Sequence, residues 1–302
     1  MNLLRGILSS LLLVLNTIAA CVPLYLLGAV RLLFPARARS SLTRRMDHLI
    51  DFWVGNNRKS FSLLGLTSIE LTWEGDETLS DDLWYLVMCN HQSWTDIVIL
   101  QNILWRRVPP IKFFTKRQLI WVPFLGLAMW FLDFPYVRRM SREQIAADPA
   151  LAELDRQATL KSCEKFREHP TTVLNFPEGT RFTAAKHQNH IARFRNLLNP
   201  KIGGLTYVSD GLRNQLHKLL DITIVYLGPT PTFWDLLQGR CPKVQILVQC
   251  RDLPDSLREA LTLAERRERL GLWIEDIWRD KDQRLQRDAE PYSAQTKIEQ
   301  PG

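Results

Sequence analysis

Residues 84–104 read WYLVMCNHQSWTDIVILQNIL. Trp84 to Cys89 form a short apolar run of the length a buried strand takes, and Thr95 to Leu104 read as a helix. A strand feeding a helix is the repeating unit of an open α/β sheet, and such sheets place their ligands just beyond the strand's carboxyl end. His91 and Asp96 fall at that junction.

Histidine is the side chain whose unperturbed pKa lies near neutrality, so His91 is suited to take a proton from a hydroxyl. A carboxylate on its other ring nitrogen would fix the tautomer and stabilise the imidazolium. Five residues along an ideal helix turn through about 500°, roughly 140° off the same face, so the two side chains meet only if His91 precedes the helix. Ser93-Trp94-Thr95-Asp96 has the form of a capping box, which starts the helix near Ser93 and leaves His91 on the turn before it. The same residues fit a plainer arrangement, with Asp96 only a cap and His91 a structural histidine. Both readings stand at this point.

Outward from this stretch, β-rich runs occur at Ile69–Trp73, Lys112–Thr115, Thr172–Phe176, Leu205–Val208, Ile222–Leu227 and Val244–Cys250. Helical patterns occupy Asp47–Leu64, Ala150–His169 and Ser256–Arg287, the last with Trp273, Ile274, Ile277 and Trp278 near one face. The alternation predicts an α/β fold, a mixed sheet flanked by helices, preceded by an N-terminal hydrophobic membrane helix or helix pair. Three regions are expected: a membrane anchor with a basic flank (1–46), a catalytic domain with a C-terminal surface helix (47–288), and a polar tail (289–302).

A second motif, Asn175-Phe176-Pro177-Glu178-Gly179-Thr180-Arg181, also ends an apolar run. Pro and Gly force a tight turn, and the guanidinium of Arg181 is a planar fork suited to a phosphate. A surface turn with an incidental ion pair fits the motif equally well.

Gly6 to Val30 is a stretch of 25 residues without a charge, enough helix to cross a hydrocarbon core of about 30 Å. Asn16, Thr17 and Pro23 leave a second option, two helices dipping into one leaflet. Ile18-Ala19-Ala20-Cys21 resembles a lipoprotein cleavage box, but the apolar run continues past it. Six arginines and no acid lie within residues 1 to 46, leaving 33 basic against 32 acidic groups in the rest of the chain. The formal charge of +7 therefore belongs to the N-terminal segment, which argues for a membrane surface and against nucleic acid. Five arginines follow the apolar run, so the positive-inside bias puts the body in the cytoplasm. The five cysteines are odd in number and unpaired in spacing, consistent with a reduced compartment. His187 and His190 lack a nearby third ligand, so no metal is expected. Leu119 to Leu132, 14 residues without a charge between Lys116-Arg117 and Arg138-Arg139, suits an interfacial or core segment.

NHQSWTD (90–96) and FPEGTR (176–181), in this order and at this separation, resemble the first and third blocks of the glycerolipid acyltransferase family, whose best known members are lysophosphatidic acid acyltransferases. Lys116-Arg117-Gln118-Leu119, Pro123, Gly126 and Phe131 through Arg139 resemble its second block. The resemblance covers roughly residues 85 to 235. It implies that His91 is the general base and Asp96 its orienting carboxylate. It also implies that Glu178, Gly179, Thr180 and Arg181, with Lys116, Arg117 and Arg138 or Arg139, hold the acceptor phosphate. The implied reaction moves an acyl group from acyl-CoA or acyl carrier protein, as co-substrate, to the hydroxyl of a lysophospholipid, foremost 1-acylglycerol 3-phosphate. It needs no cofactor, metal or covalent enzyme intermediate. The implied partners are membrane phospholipids and lysophospholipids, and the implied location is the cytoplasmic face of a cell inner membrane. One departure concerns the fourth block. The run Pro231-Thr232-Phe233-Trp234-Asp235, and later Trp273 to Asp282, resemble the lysophospholipid and lysocardiolipin branch, which leaves the acceptor open.

Overall fold

A computed structural model of the chain describes residues 1–34, 36–75, 78–137, 148, 150–188 and 192–298. Two long helices, α1 (Asn2–Leu33) and α2 (Ala36–Leu63), precede strand β1 (Ile69–Glu74). Strand β2 (Trp84–Cys89) leads into α3 (Thr95–Leu104), and β3 (Ile111–Phe113) into the short β4 (Thr115–Lys116). A 3₁₀ turn over Arg117–Trp121, helix α4 (Leu125–Phe131) and β5 (Tyr136–Val137) follow. Then come α5 (Ala150–Arg167), β6 (Thr172–Asn175), α6 (Ala184–Gln188), α7 (Gly203–Gly211), β7 (Leu216–Tyr226), α8 (Phe233–Leu237), β8 (Val244–Asp252) and α9 (Leu263–Ile298).

The main sheet has six strands in the order β1-β8-β7-β2-β6-β3, with β7 and β8 antiparallel and the other neighbours parallel. It is the mixed sheet expected, with helices on both faces. β2 lies near its middle and is buried on both sides, as its unbroken apolar run requires. The period of two divides its side chains. Leu86 and Met88 join a core with Phe166 of α5, Leu205 and Val208 of α7, and Ile274 and Trp278 of α9. Tyr85, Val87 and Cys89 face Ile99, Leu100 and Ile103 of α3.

Several elements differ from expectation. Leu205–Val208 is the centre of a helix, not a strand. Gly203-Gly204 precede it, and Leu205, Val208 and Ser209 recur at helical spacing on the buried side. β7 begins at Leu216, six residues before its expected start, because His217, Lys218 and Asp221 interrupt its apolar signature. α9 starts later, at Leu263, behind a Thr262–Glu265 capping box, and runs to Ile298 through most of the expected tail.

α1 is continuous through Pro23 and is long and apolar enough to cross a membrane by length and composition. Asn16 and Thr17 do not break it into two helices. The Asn16 amide donates to the Trp53 carbonyl and to Asn57 (2.8 Å each), and the Trp53 indole donates to Thr17 (3.0 Å), tying α1 to α2. α2 itself runs across residue 46, where the expected anchor ended. α1 also contacts the body near both ends. A Cβ on Gly6 would strike Gln238 and Trp234, one on Gly28 would strike Phe131, and Arg31 pairs with Asp133 at 2.5 Å.

Candidate active site

Parallel pairing sets the site. Met88 of β2 lies beside Asn175 of β6, and Phe113 of β3 lies beside Leu174, so three strands end at one edge of the sheet. The chain leaving β2 carries His91, that leaving β6 carries Glu178 to Arg181, and that leaving β3 carries Lys116 and Arg117.

His91 lies before α3, and its Nδ1 is 2.9 Å from Oδ2 of Asp96. That same oxygen accepts the backbone N–H groups of Gln92 (2.7 Å) and Ser93 (2.8 Å). Asp96 therefore caps the turn and holds the histidine at once, through a single carboxylate oxygen. The capping box is half formed. Ser93 Oγ does not take the Asp96 N–H; it accepts from Thr95 N (3.2 Å) and donates to the Pro231 carbonyl (2.5 Å). The helix accordingly starts at Thr95.

Two partners of this pair had no signal in the sequence. Tyr226, at the end of β7, donates its hydroxyl to the other Asp96 oxygen at 2.6 Å. Burial, then the Asp96 charge, push that phenol's pKa far up, so it remains a donor at every working pH. Phe176 stacks on the His91 ring with centroids 3.9 Å apart. Asn90 locks the strand end, accepting from Ile224 N and donating to Ile224 O, both at 2.9 Å.

Glu178 departs from expectation. It is 1% exposed, its Oε1 accepts from His91 N (2.7 Å) and its Oε2 from Leu198 N (3.0 Å). So engaged, the carboxyl group braces the His91 turn, with both oxygens taken up by the protein's own N–H groups. Burial raises its pKa to about 7, against the lowering effect of the two N–H bonds. Gly179 follows with φ +69°, a conformation that favours glycine, and its N–H closes the turn onto the Phe176 carbonyl (2.9 Å).

Arg181 is exposed with its guanidinium over the Trp94 ring, 5.2 Å from the centroid, and the next residue's N–H donates to the His91 carbonyl (2.7 Å). The phosphate candidate Arg181 is thus brought to the His91 turn. Lys186, which sequence reasoning did not single out, joins it by donating to Thr180 Oγ1 (2.7 Å) and to the Arg181 carbonyl (2.9 Å). Lys116 and Arg117 are exposed at the same sheet edge. Arg138, Arg139 and His190 lie outside the described residues.

Beside Trp94 opens an apolar cavity of about 440 Å³ between α1, α2, α3 and α4. Ala20, Leu24, Ile50, Ile97, Ala128 and Phe134 are among its walls. The segment over Leu119–Leu132 turns a few small residues inward and leaves Trp121, Phe124, Leu127 and Trp130 exposed. Gly126 makes its bend, since a Cβ there would collide with the carbonyls of Ile120 and Leu119.

Residues 70–225 match the Acyltransferase family. The chain is 27% identical over 246 residues to 2-acyl-1-lysophosphatidylinositol acyltransferase of Saccharomyces cerevisiae, covering 67% of this chain and 60% of that protein. It is 28% identical to lysocardiolipin acyltransferase 1 of Gallus gallus (67% and 53%) and 23% identical to 1-acyl-sn-glycerol-3-phosphate acyltransferase epsilon of Mus musculus (87% and 73%). The chain thus spans little more than half the length of the first two. Among solved structures, its fold matches that of the 1-acyl-sn-glycerophosphate acyltransferase PlsC from Thermotoga maritima, with a TM-score of 0.53, 18% identity, and coverage of 94% of this chain and 99% of that one.

Proposed function

The chain belongs to the Acyltransferase family, and from that premise we propose that it transfers a fatty acyl group from acyl-CoA or acyl carrier protein to the free hydroxyl of a lysophospholipid at a membrane surface. The observation that carries this reading is the His91–Asp96 pair with Arg181 over Trp94, a residue that also lines the apolar cavity. With Nδ1 held by Asp96, Nε2 of His91 is the nitrogen that accepts the hydroxyl proton. The oxygen attacks the thioester carbonyl, the tetrahedral intermediate collapses, and the thiolate leaves with the proton returned from His91. Asp96 stabilises the imidazolium between these steps. Arg181, with Lys116 and Arg117 at the same edge, supplies positive charge for the acceptor phosphate, and no cofactor or metal takes part.

The acceptor foremost in this reading is 1-acylglycerol 3-phosphate. The yeast relative acts by its name on a lysophosphatidylinositol, which favours a headgroup-bearing lysophospholipid as the second reading. Purified protein in vesicles, given labelled acyl-CoA and a panel of lysolipids, should yield phosphatidic acid. A different diacyl product would replace the acceptor, and no acylated product from either donor would overturn the function.

The cavity of about 440 Å³ is of the size that small-molecule sites take, and its apolar walls suit the acyl chain. Ala128→Phe should fill its floor and lower transfer of a C16 chain relative to a C8 chain by roughly tenfold or more, since each excluded methylene is worth about 1–3 kcal/mol. An unchanged chain-length ratio would remove the cavity from the reaction.

For the membrane, support comes from exposed Leu, Ile and Val side chains along α1 and from exposed Trp121, Phe124 and Trp130 beside Lys116 and Arg117. Contacts of α1 with the body near both of its ends favour a helix lying in one leaflet of an inner membrane, on its cytoplasmic face.

A further inference from the structure

The C-terminal helix reaches the site through a chain of hydrogen bonds. On α9, the Asp282 carboxylate accepts two consecutive backbone N–H groups, Arg195 (2.9 Å) and Asn196 (2.6 Å). One turn earlier, Trp278 donates its indole N–H to the Leu198 carbonyl (3.1 Å). Leu198 N in turn holds Glu178, and Glu178 holds His91 N. Between them Lys281, with its side chain fully buried, donates to Ile222 O (2.6 Å) and Thr223 Oγ1 (3.0 Å) and pairs with Asp221 at 2.7 Å. That anchors the same helix to β7, the strand that carries Ile224 and Tyr226 to Asn90 and Asp96. A helix that merely covered the sheet would need its apolar face alone, Leu270, Ile274 and Ile277. These three polar contacts instead fix the peptide planes of one loop and one strand end, both of which touch the histidine turn.

We propose that the Trp278–Asp282 face of α9 is a positioning element for the reaction, holding the 195–198 loop so that Glu178 keeps the His91 turn, and thus the base, in register with its substrate. The inference rests on the reading of His91 as the base.

The anion of Glu178 accepts both N–H groups, whereas its protonated form presents a hydroxyl where one N–H stands. Activity is therefore present above the Glu178 pKa and lost as pH falls through it. Facing this carboxylate are Asp96 from α3 and Lys281 from α9, with the His91 and Leu198 N–H groups. The Cys89 thiol of β2 is also near, and burial keeps it neutral. Slackening of the Leu198 bond removes one of the contacts that favour the anion, which moves the acid limb of the rate profile to higher pH.

The test uses the full chain in vesicles. Asp282→Ala should lower kcat on the order of tenfold, leave KM for the lysolipid within about twofold, and shift the acid limb of kcat/KM upward. Asp282→Asn, whose amide oxygen still accepts an N–H, should recover most of the rate. Glu275→Gln, which removes only the exposed pair with Arg193 between the same helix and loop, should match the parent protein. The rate of His91 modification by diethyl pyrocarbonate at one fixed pH, read by peptide mass spectrometry, should change in Asp282→Ala alone. An unmoved acid limb and unmoved His91 reactivity, or a loss of rate equal to the loss of folded protein in thermal unfolding, would overturn the proposal. A parent protein that transfers no acyl group while His91 reactivity still shifts would overturn the proposed function and leave the positioning role standing.

Discussion

Replacing His91 with alanine should lower acyl transfer about a thousandfold while leaving the fold in place. A positioned general base contributes about 10²–10⁴ in rate, and among the described residues no other imidazole stands among the contacts of Asp96. The fold should survive because the turn around residue 91 is built from other groups. Asp96 still caps Gln92 and Ser93, Glu178 still holds the backbone N–H at position 91, and Asn90 still locks onto Ile224. What is lost is the stack on Phe176, whose ring remains in its own turn. A kcat fall of about a thousandfold with little change in thermal unfolding is the expected pair of results. Retained transfer would remove His91 from the mechanism.

Asp96→Asn should have the next largest effect, and it separates the two duties of this carboxylate. The backbone N–H groups of Gln92 and Ser93 both point at Oδ2, so an asparagine turns its amide oxygen toward them and its NH₂ toward the Tyr226 hydroxyl. The cap and the His91 tautomer are kept, while the charge that stabilises the imidazolium is gone. Transfer should drop by roughly 10²-fold in kcat, with KM for the lysolipid little changed and only a modest loss of stability. Tyr226→Phe leaves the charge in place and removes one donor, so its loss of rate should be much the smaller. Equal losses in the two variants, measured side by side with the same acceptor, would mean that Asp96 acts by shape and not by charge.

These expectations draw unequally on sequence and structure. The apolar run from Trp84, the polar break at Asn90 and the helix from Thr95 predicted a strand-to-helix junction, and the junction is there. The same local reasoning placed His91 ahead of the helix, because helix geometry forbids any other meeting with Asp96. Local reasoning failed where tertiary contacts outvote propensity. Leu205–Val208 has strand-forming residues, yet a helix buries them better against α5 and α9. Lys218 and Asp221 hide the first half of β7, because a buried lysine from α9 neutralises Asp221 and Asp252 pairs with Lys218.

For the site, the sequence by itself determined which groups are candidates, His91, Asp96 and Arg181, because they lie in two short motifs whose spacing is local and whose resemblance to a family gave them roles. Tertiary structure alone decided what each group touches. Glu178 reaches His91 across 87 residues and Tyr226 reaches Asp96 across 130, and a hydrogen bond between such distant positions leaves no periodicity in the chain. Glu178 therefore reads in the sequence as a ligand of the acceptor phosphate, whereas in the structure it is buried with its two oxygens on the N–H groups of His91 and Leu198.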